Sequence, residues 1–126
     1  MPYRVSKAEF AQIVQTAIDE LPEQFADAVE DAAIEVMDRP TARQLSKLGT
    51  KKGGLLLGLY SGVPRTKRSV EDSGRLPDAI YLFQQNIETV CDSEEELVEQ
   101  TRVTLLHEIG HYFGMDEDDL TELGYG

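Results

Sequence analysis

An α+β class, with helices at both ends of the chain and two to four short strands between them, is what this sequence predicts, and three stretches predict it. Ser6 and Glu9 form a capping-box pattern ahead of Phe10, Ile13, Val14, Ala17, Ile18 and Leu21 at helical spacing. DAIYLFQ at 78–84 is the clearest strand. Asp92 or Ser93 caps a last long helix, with Ser93 and Glu96 again fitting the box, and Gly114 is its natural stop.

Between these anchors, punctuation sets the segments. The first helix ends near Pro22. From Glu23 onward Phe25, Val29, Ala32 and Val36 suit a helix, whereas Ile34 and Val36 flanking Glu35 suit a strand that stops before Pro40, so a short helix followed by a strand is expected. Thr41 caps a brief helix through Leu48, with Gly49 just past its end. The Gly53-Gly54 pair opens the apolar run LLLGLYSGVP, a strand leading into a tight turn. Residues 65–77 are polar and rich in turn formers and read as a surface loop. A short helix from about Asp116 to Leu123 closes at Gly124. A chain of 126 residues leaves room for one domain, 1–126, with a modest core.

Charge and cysteine content narrow the functional classes. Twelve basic against 24 acidic residues give a formal charge of −12, which opposes general binding to nucleic acid or to anionic membrane surfaces. The charge is uneven: residues 39–75 sum to about +7 and the remainder to about −19. With Tyr60 the only aromatic among those basic residues, no base-stacking platform is suggested, and the segment reads as solvated loops. Cys91 is the only cysteine, so an intrachain disulfide framework is excluded and Cys91 itself is expected as a buried small hydrophobe. The N-terminus shows no apolar run of signal length, and no 18 consecutive apolar residues occur, so a soluble cytoplasmic protein is the expectation.

The chemistry concentrates in HEIGH on the last long helix. His107 and His111 are four residues apart, so both imidazoles project from one face and can reach a single cation. On a helical wheel Val98, Leu105, Leu106, Ile109 and Phe113 gather on the opposite side, making the helix a core element with a working face. The chain has two histidines and both are in this motif; chance places them so, with Glu after the first, about once in 600 sequences. Catalytic zinc takes three protein ligands and keeps one position for water, so a third donor is needed. Gly114 lets the chain turn out of the helix, and Asp116, Glu117, Asp118 and Asp119 follow at once. Glu117, completing HExxHxxGxxE, is the first choice, with Asp116 or Asp118 behind it; the competing role for these acids is N-capping of the short helix that follows.

HEIGHYFG followed by acids resembles the metzincin arrangement, with Glu117 where the third histidine would stand and with Met115 before that position rather than a methionine after it. GLYSGVP at 58–64, LPDAIYLFQ at 76–84 and HEIGHYFG at 107–114, in that order in so short a chain, resemble the bacterial minimal zincins, zinc-dependent metallopeptidases with a small MMP-like domain. The resemblance covers roughly residues 4–124. It implies a small mixed sheet packed on a long active-site helix with flanking N-terminal helices, a strand for the ambiguous 31–37 segment, and a metal held by His107, His111 and an acid in the turn.

With Zn2+ in place to acidify a water, Glu108 sits beside the ligands as general base for hydrolysis of a peptide bond. The strand from Ala79 to Gln84 is the expected site for an extended substrate to add. Tyr60, Tyr81 and Tyr112 are candidates for a second electrophile, each set against a packing role. The expected partner is a peptide or protein substrate. A reading from another class is a metal-bound interaction module without turnover.

Overall fold

The computed structural model describes residues 2–47, 55–62, 78–115 and 117–122, the side chains of residues 27, 31, 46, 47, 117, 120 and 121 apart. The first helix, α1 (Lys7–Asp19), starts where the capping box places it: Ser6 Oγ accepts from Glu9 N–H at 3.1 Å and Glu9 reaches back to Ser6 N–H. Phe10, Val14 and Ala17 are its buried face. After Pro22 a single 3-10 turn (Glu23–Phe25) runs into α2 (Ala26–Asp31), and α2 passes directly into strand β1 (Ala32–Met37). The stretch thus takes both forms in turn: helix first, then strand. Thr41 caps α3 (Ala42–Lys47) reciprocally with Gln44, whose side chain accepts from Thr41 N–H at 2.8 Å.

Three strands form the sheet. β2 (Gly58–Ser61) and β3 (Asp78–Phe83) follow β1, and the order is β1-β3-β2, with β1 parallel and β2 antiparallel to β3. Ala32 pairs with Asp78 and Met37 with Phe83 along one side of β3; Gly58 pairs with Leu82 and Ser61 with Ala79 along the other. Two expectations change here. The strand proposed to receive an added peptide is the central one, with both sides already paired; among the described strands, β2 has the outer side nearer the histidine-bearing helix. Among its described residues the apolar run LLLGLYSGVP is strand at Gly58–Ser61, with Leu55 to Leu57 leading into it. Gly49, the Gly53-Gly54 pair, the loop at 65–77 and Gly124 lie outside the described residues.

The chain then makes α4 (Gln84–Thr89), α5 (Glu94–Tyr112) and α6 (Glu117–Glu122). Helix α4 has no counterpart in the sequence reading, because its buried side is largely polar: Gln84, Asn86 and Glu88 are buried beside Ile87. Those groups find partners. Glu88 accepts from Arg4 Nη1 at 3.1 Å, Val5 N–H at 3.0 Å and Gln84 Nε2 at 3.0 Å, and Asn86 Nδ2 donates to Leu56 O at 2.8 Å. The N-terminal segment is thereby strapped over α4, with Tyr3 N–H donating to Cys91 O at 2.8 Å.

Helix α5 collects the core. Toward its start Leu97 joins Phe10, Val14, Leu82, Ile87 and Cys91; toward its end Leu105, Leu106, Ile109 and Tyr112 join Ala17, Phe25, Ala28, Ala32 and Ile80. Val98, placed on the apolar stripe by the wheel, is 39% exposed, and Leu97 occupies the core instead. The cause is that the inward face of α5 also carries Thr101 and Thr104, which a hydrophobic count passes over. Cys91 is buried as expected, and burial first, then Glu96, Asp92 and Glu88, pushes its thiol above the usual range. Among the described residues no helix is long and apolar enough to cross a membrane.

Candidate metal centre

Ser93 caps α5, its Oγ accepting from Glu96 N–H at 3.2 Å, and the helix then runs uninterrupted to Tyr112, which sets His107 and His111 one turn apart. Both imidazoles are half-buried and their Nε2 atoms are 3.2 Å apart. Two nitrogens each about 2.0–2.1 Å from a tetrahedral zinc lie about 3.3–3.4 Å apart, so the pair stands at the spacing a shared cation requires. The other ring nitrogen of His111, Nδ1, is turned toward the end of the helix.

That second nitrogen is fixed by the end of the helix. Gly114 adopts φ +87°, and the two bonds of a Schellman motif follow: Gly114 N–H donates to His111 O and Met115 N–H to Gly110 O, each at 2.9 Å. The turn carries Met115 O to 3.1 Å from His111 Nδ1. A carbonyl only accepts, so Nδ1 is the donor and the Nε2 lone pair is directed at the partner imidazole. A single glycine thus ends the helix and sets the tautomer of a prospective ligand.

Glu108 lies between the histidines in sequence and is 7% exposed. Its Oε1 accepts from Tyr60 N–H of β2 at 2.9 Å. One ligand-type atom from each of His107, Glu108 and His111 can be chosen so that all lie within 4.8 Å of one another. Helix and strand approach closely at this point, and Gly58 permits it: a Cβ there would sit 2.7 Å from Thr104 Cγ2 and 3.2 Å from Glu108 Cγ. Tyr60 is anchored twice more, its hydroxyl donating to Asp78 Oδ2 at 3.0 Å and its ring meeting Tyr112 edge-on at 6.0 Å. Asp78 is 1% exposed. A pocket of about 260 Å3 opens alongside, lined by Leu56, Leu57, Gly58, Gln100, Val103, Thr104, His107 and Glu108.

The family model for zincin-like metallopeptidases matches residues 29–126, which takes in β1, the strands and the whole of HEIGH. The chain belongs to the zincin-like metallopeptidase family. Its fold is also similar to a solved structure described as a conserved hypothetical protein of Thermus thermophilus, with a TM-score of 0.57 and 21% identity over 96% of this chain and 100% of that one. No protein of curated function matches. A zincin-like chain calls for a divalent metal, typically zinc, and the donor set suits one: two half-buried imidazoles at ligand spacing, one with its outer nitrogen tied to a carbonyl, and a carboxylate next to them.

Of the proposed site residues, His107, Glu108 and His111 are thus brought together. Glu117 is the first residue of α6, two positions past Met115, and its side chain lies outside the described residues, as does Asp116 altogether; Asp118 is exposed. Tyr60 is hydrogen-bonded to Asp78 and packs edge-on against Tyr112, and Tyr81 is half-buried on β3. Sequence reasoning passed over four contributors: Gly58, the Tyr60 amide, Asp78 and the Met115 carbonyl. Only Gly58 carried a signal, since a lone glycine inside an apolar strand pattern marks a close backbone approach. The other three act through backbone groups or through a pairing between residues 18 apart.

Proposed function

We propose that this zincin-like protein is a zinc-dependent metallopeptidase in which His107, His111 and Glu117 hold the metal and Glu108 is the general base. The observation that supports it most strongly is the pair of Nε2 atoms 3.2 Å apart with the His111 tautomer set by Met115 O. Glu117 is favoured as third ligand because the Schellman turn ends two residues before it, where the chain has just left α5. Zinc supplies a positive charge that acidifies a water toward a pKa of about 7 and polarises a peptide carbonyl.

The protein's own groups do the rest. Glu108 is held within reach of the imidazoles and takes the proton of the attacking water, then returns it to the leaving amine nitrogen. His111 keeps its proton on Nδ1, where Met115 O holds it, and so stays a lone-pair donor at Nε2. An extended substrate is proposed to lie along the outer side of β2, with a side chain in the pocket walled by Leu56, Leu57 and Val103.

Zinc-loaded chain should cleave members of a peptide library, the cleavage should stop on adding a chelator, and Glu108→Gln should retain zinc while losing turnover. A metal-bound protein without chelator-sensitive cleavage would favour the interaction-module reading instead.

A further inference from the structure

The carboxylate of Glu108 and an incoming peptide require the same hydrogen-bond donor. Strand β2 alternates: Leu57 O accepts from Phe83 N–H at 2.9 Å, and Leu59 and Ser61 stand opposite Tyr81 and Ala79, so the odd positions face β3. Gly58 and Tyr60 therefore turn their backbone groups outward, and it is the outward Tyr60 N–H that donates to Glu108. A peptide adding to this side must pair with those same outward groups.

The amide is the fixed party and the carboxylate the movable one. Tyr60 is pinned by its hydroxyl on buried Asp78 and by its ring on Tyr112. Gly62, at φ +152°, closes over Asp78 so tightly that a Cβ there would lie 2.3 Å from Oδ1, which holds the end of β2 in place. Glu108 reaches the amide on a stem with three rotatable bonds. One N–H has one proton to give. Resting on the peptidase reading above, we propose that Glu108 is parked on the Tyr60 amide in the free protein, and that an extended peptide seated against β2 takes this amide and releases the carboxylate toward the imidazole pair. The general base is then set in its working position by the substrate strand itself.

Competition for one donor predicts an affinity gain when the competitor is removed. The full chain, stripped of metal so that no turnover intervenes, is titrated with acetyl-Ala-Leu-Ala-Leu-amide while the 15N-labelled backbone is followed. Glu108→Ala should bind the peptide about tenfold more tightly than the unaltered chain. Glu108→Gln, whose amide oxygen still accepts from Tyr60 N–H, should fall between the two. In the unaltered chain the Tyr60 amide resonance should move on saturation, a readout that stands even where the alanine variant fails to fold. Equal or weaker binding by Glu108→Ala, a Tyr60 amide that stays still while peptide binds, or no binding by any form overturns the proposal. Chelator-sensitive cleavage by zinc-loaded chain is scored separately: cleavage without the affinity gain sinks the parked base alone, whereas the affinity gain without cleavage sinks the peptidase reading.

Discussion

Two buried glutamates on neighbouring helices show how the same side chain is put to different ends. Glu88 of α4 is 2% exposed and receives Arg4, Val5 N–H and Gln84, a cation and two further donors, so its charge is neutralised where it stands. Glu108 of α5 is 7% exposed, accepts the neutral Tyr60 amide and shares its surroundings with two imidazoles. A carboxylate compensated by an arginine is a fastening. A carboxylate held by a backbone amide and set beside two imidazoles is placed where a cation shared by those imidazoles would adjoin it, which is the condition under which it has chemistry to do.

Substituting each glutamate should give opposite signatures. Glu108→Gln should lower kcat/KM by about 10³-fold, the middle of the range for a general base, with little change in Tm because the Gln oxygen still accepts from Tyr60. Glu88→Ala should leave zinc binding intact while costing about 3 kcal/mol, or about 10 °C in Tm, since Arg4, Val5 N–H and Gln84 lose their acceptor together. A calorimetric scan and a steady-state assay on both variants decide it; a large Tm loss in the first or none in the second breaks the contrast.

Smaller substitutions sharpen it. Gly114→Ala forces an L side chain into the left-handed region, at about 1–2 kcal/mol, and disturbs the turn that delivers Met115 O to His111. Zinc affinity should fall with stability, by an isothermal titration, whereas a purely structural glycine would lower Tm and leave affinity alone. The weakest effect belongs to Cys91. Its folded-state pKa is raised chiefly by burial, so folding stability is fully present below the unfolded thiol pKa of about 8.5 and declines as pH rises above it. Between pH 8 and 10 the Tm of the unaltered chain should fall more than that of Cys91→Ala.

What could be read in the sequence was what acts locally. The Ser6–Glu9 and Ser93–Glu96 pairs and the Thr41 cap start three helices within a few residues of where they were expected, and Gly114 ends α5. His107 and His111 meet because i and i+4 always meet on a helix. What stayed hidden depends on partners far along the chain. Helix α4 buries Gln84 and Glu88 only because Arg4 and Val5 return to satisfy them, and no periodicity reports that. The central place of β3 follows from pairings with β1 and β2 on either side, and a strand apolar on both faces gives no sign of which neighbours it takes. The Tyr60 amide that holds Glu108 is a backbone group, invisible to residue type.

Zinc titration of the purified chain, followed by X-ray absorption at the zinc edge and repeated with His107→Ala, tests the central proposition most directly. One zinc per chain, ligated by two imidazole nitrogens and a carboxylate oxygen and lost on removing His107, is the result expected. A chain that takes up no zinc, or keeps it undiminished without His107, contradicts the account.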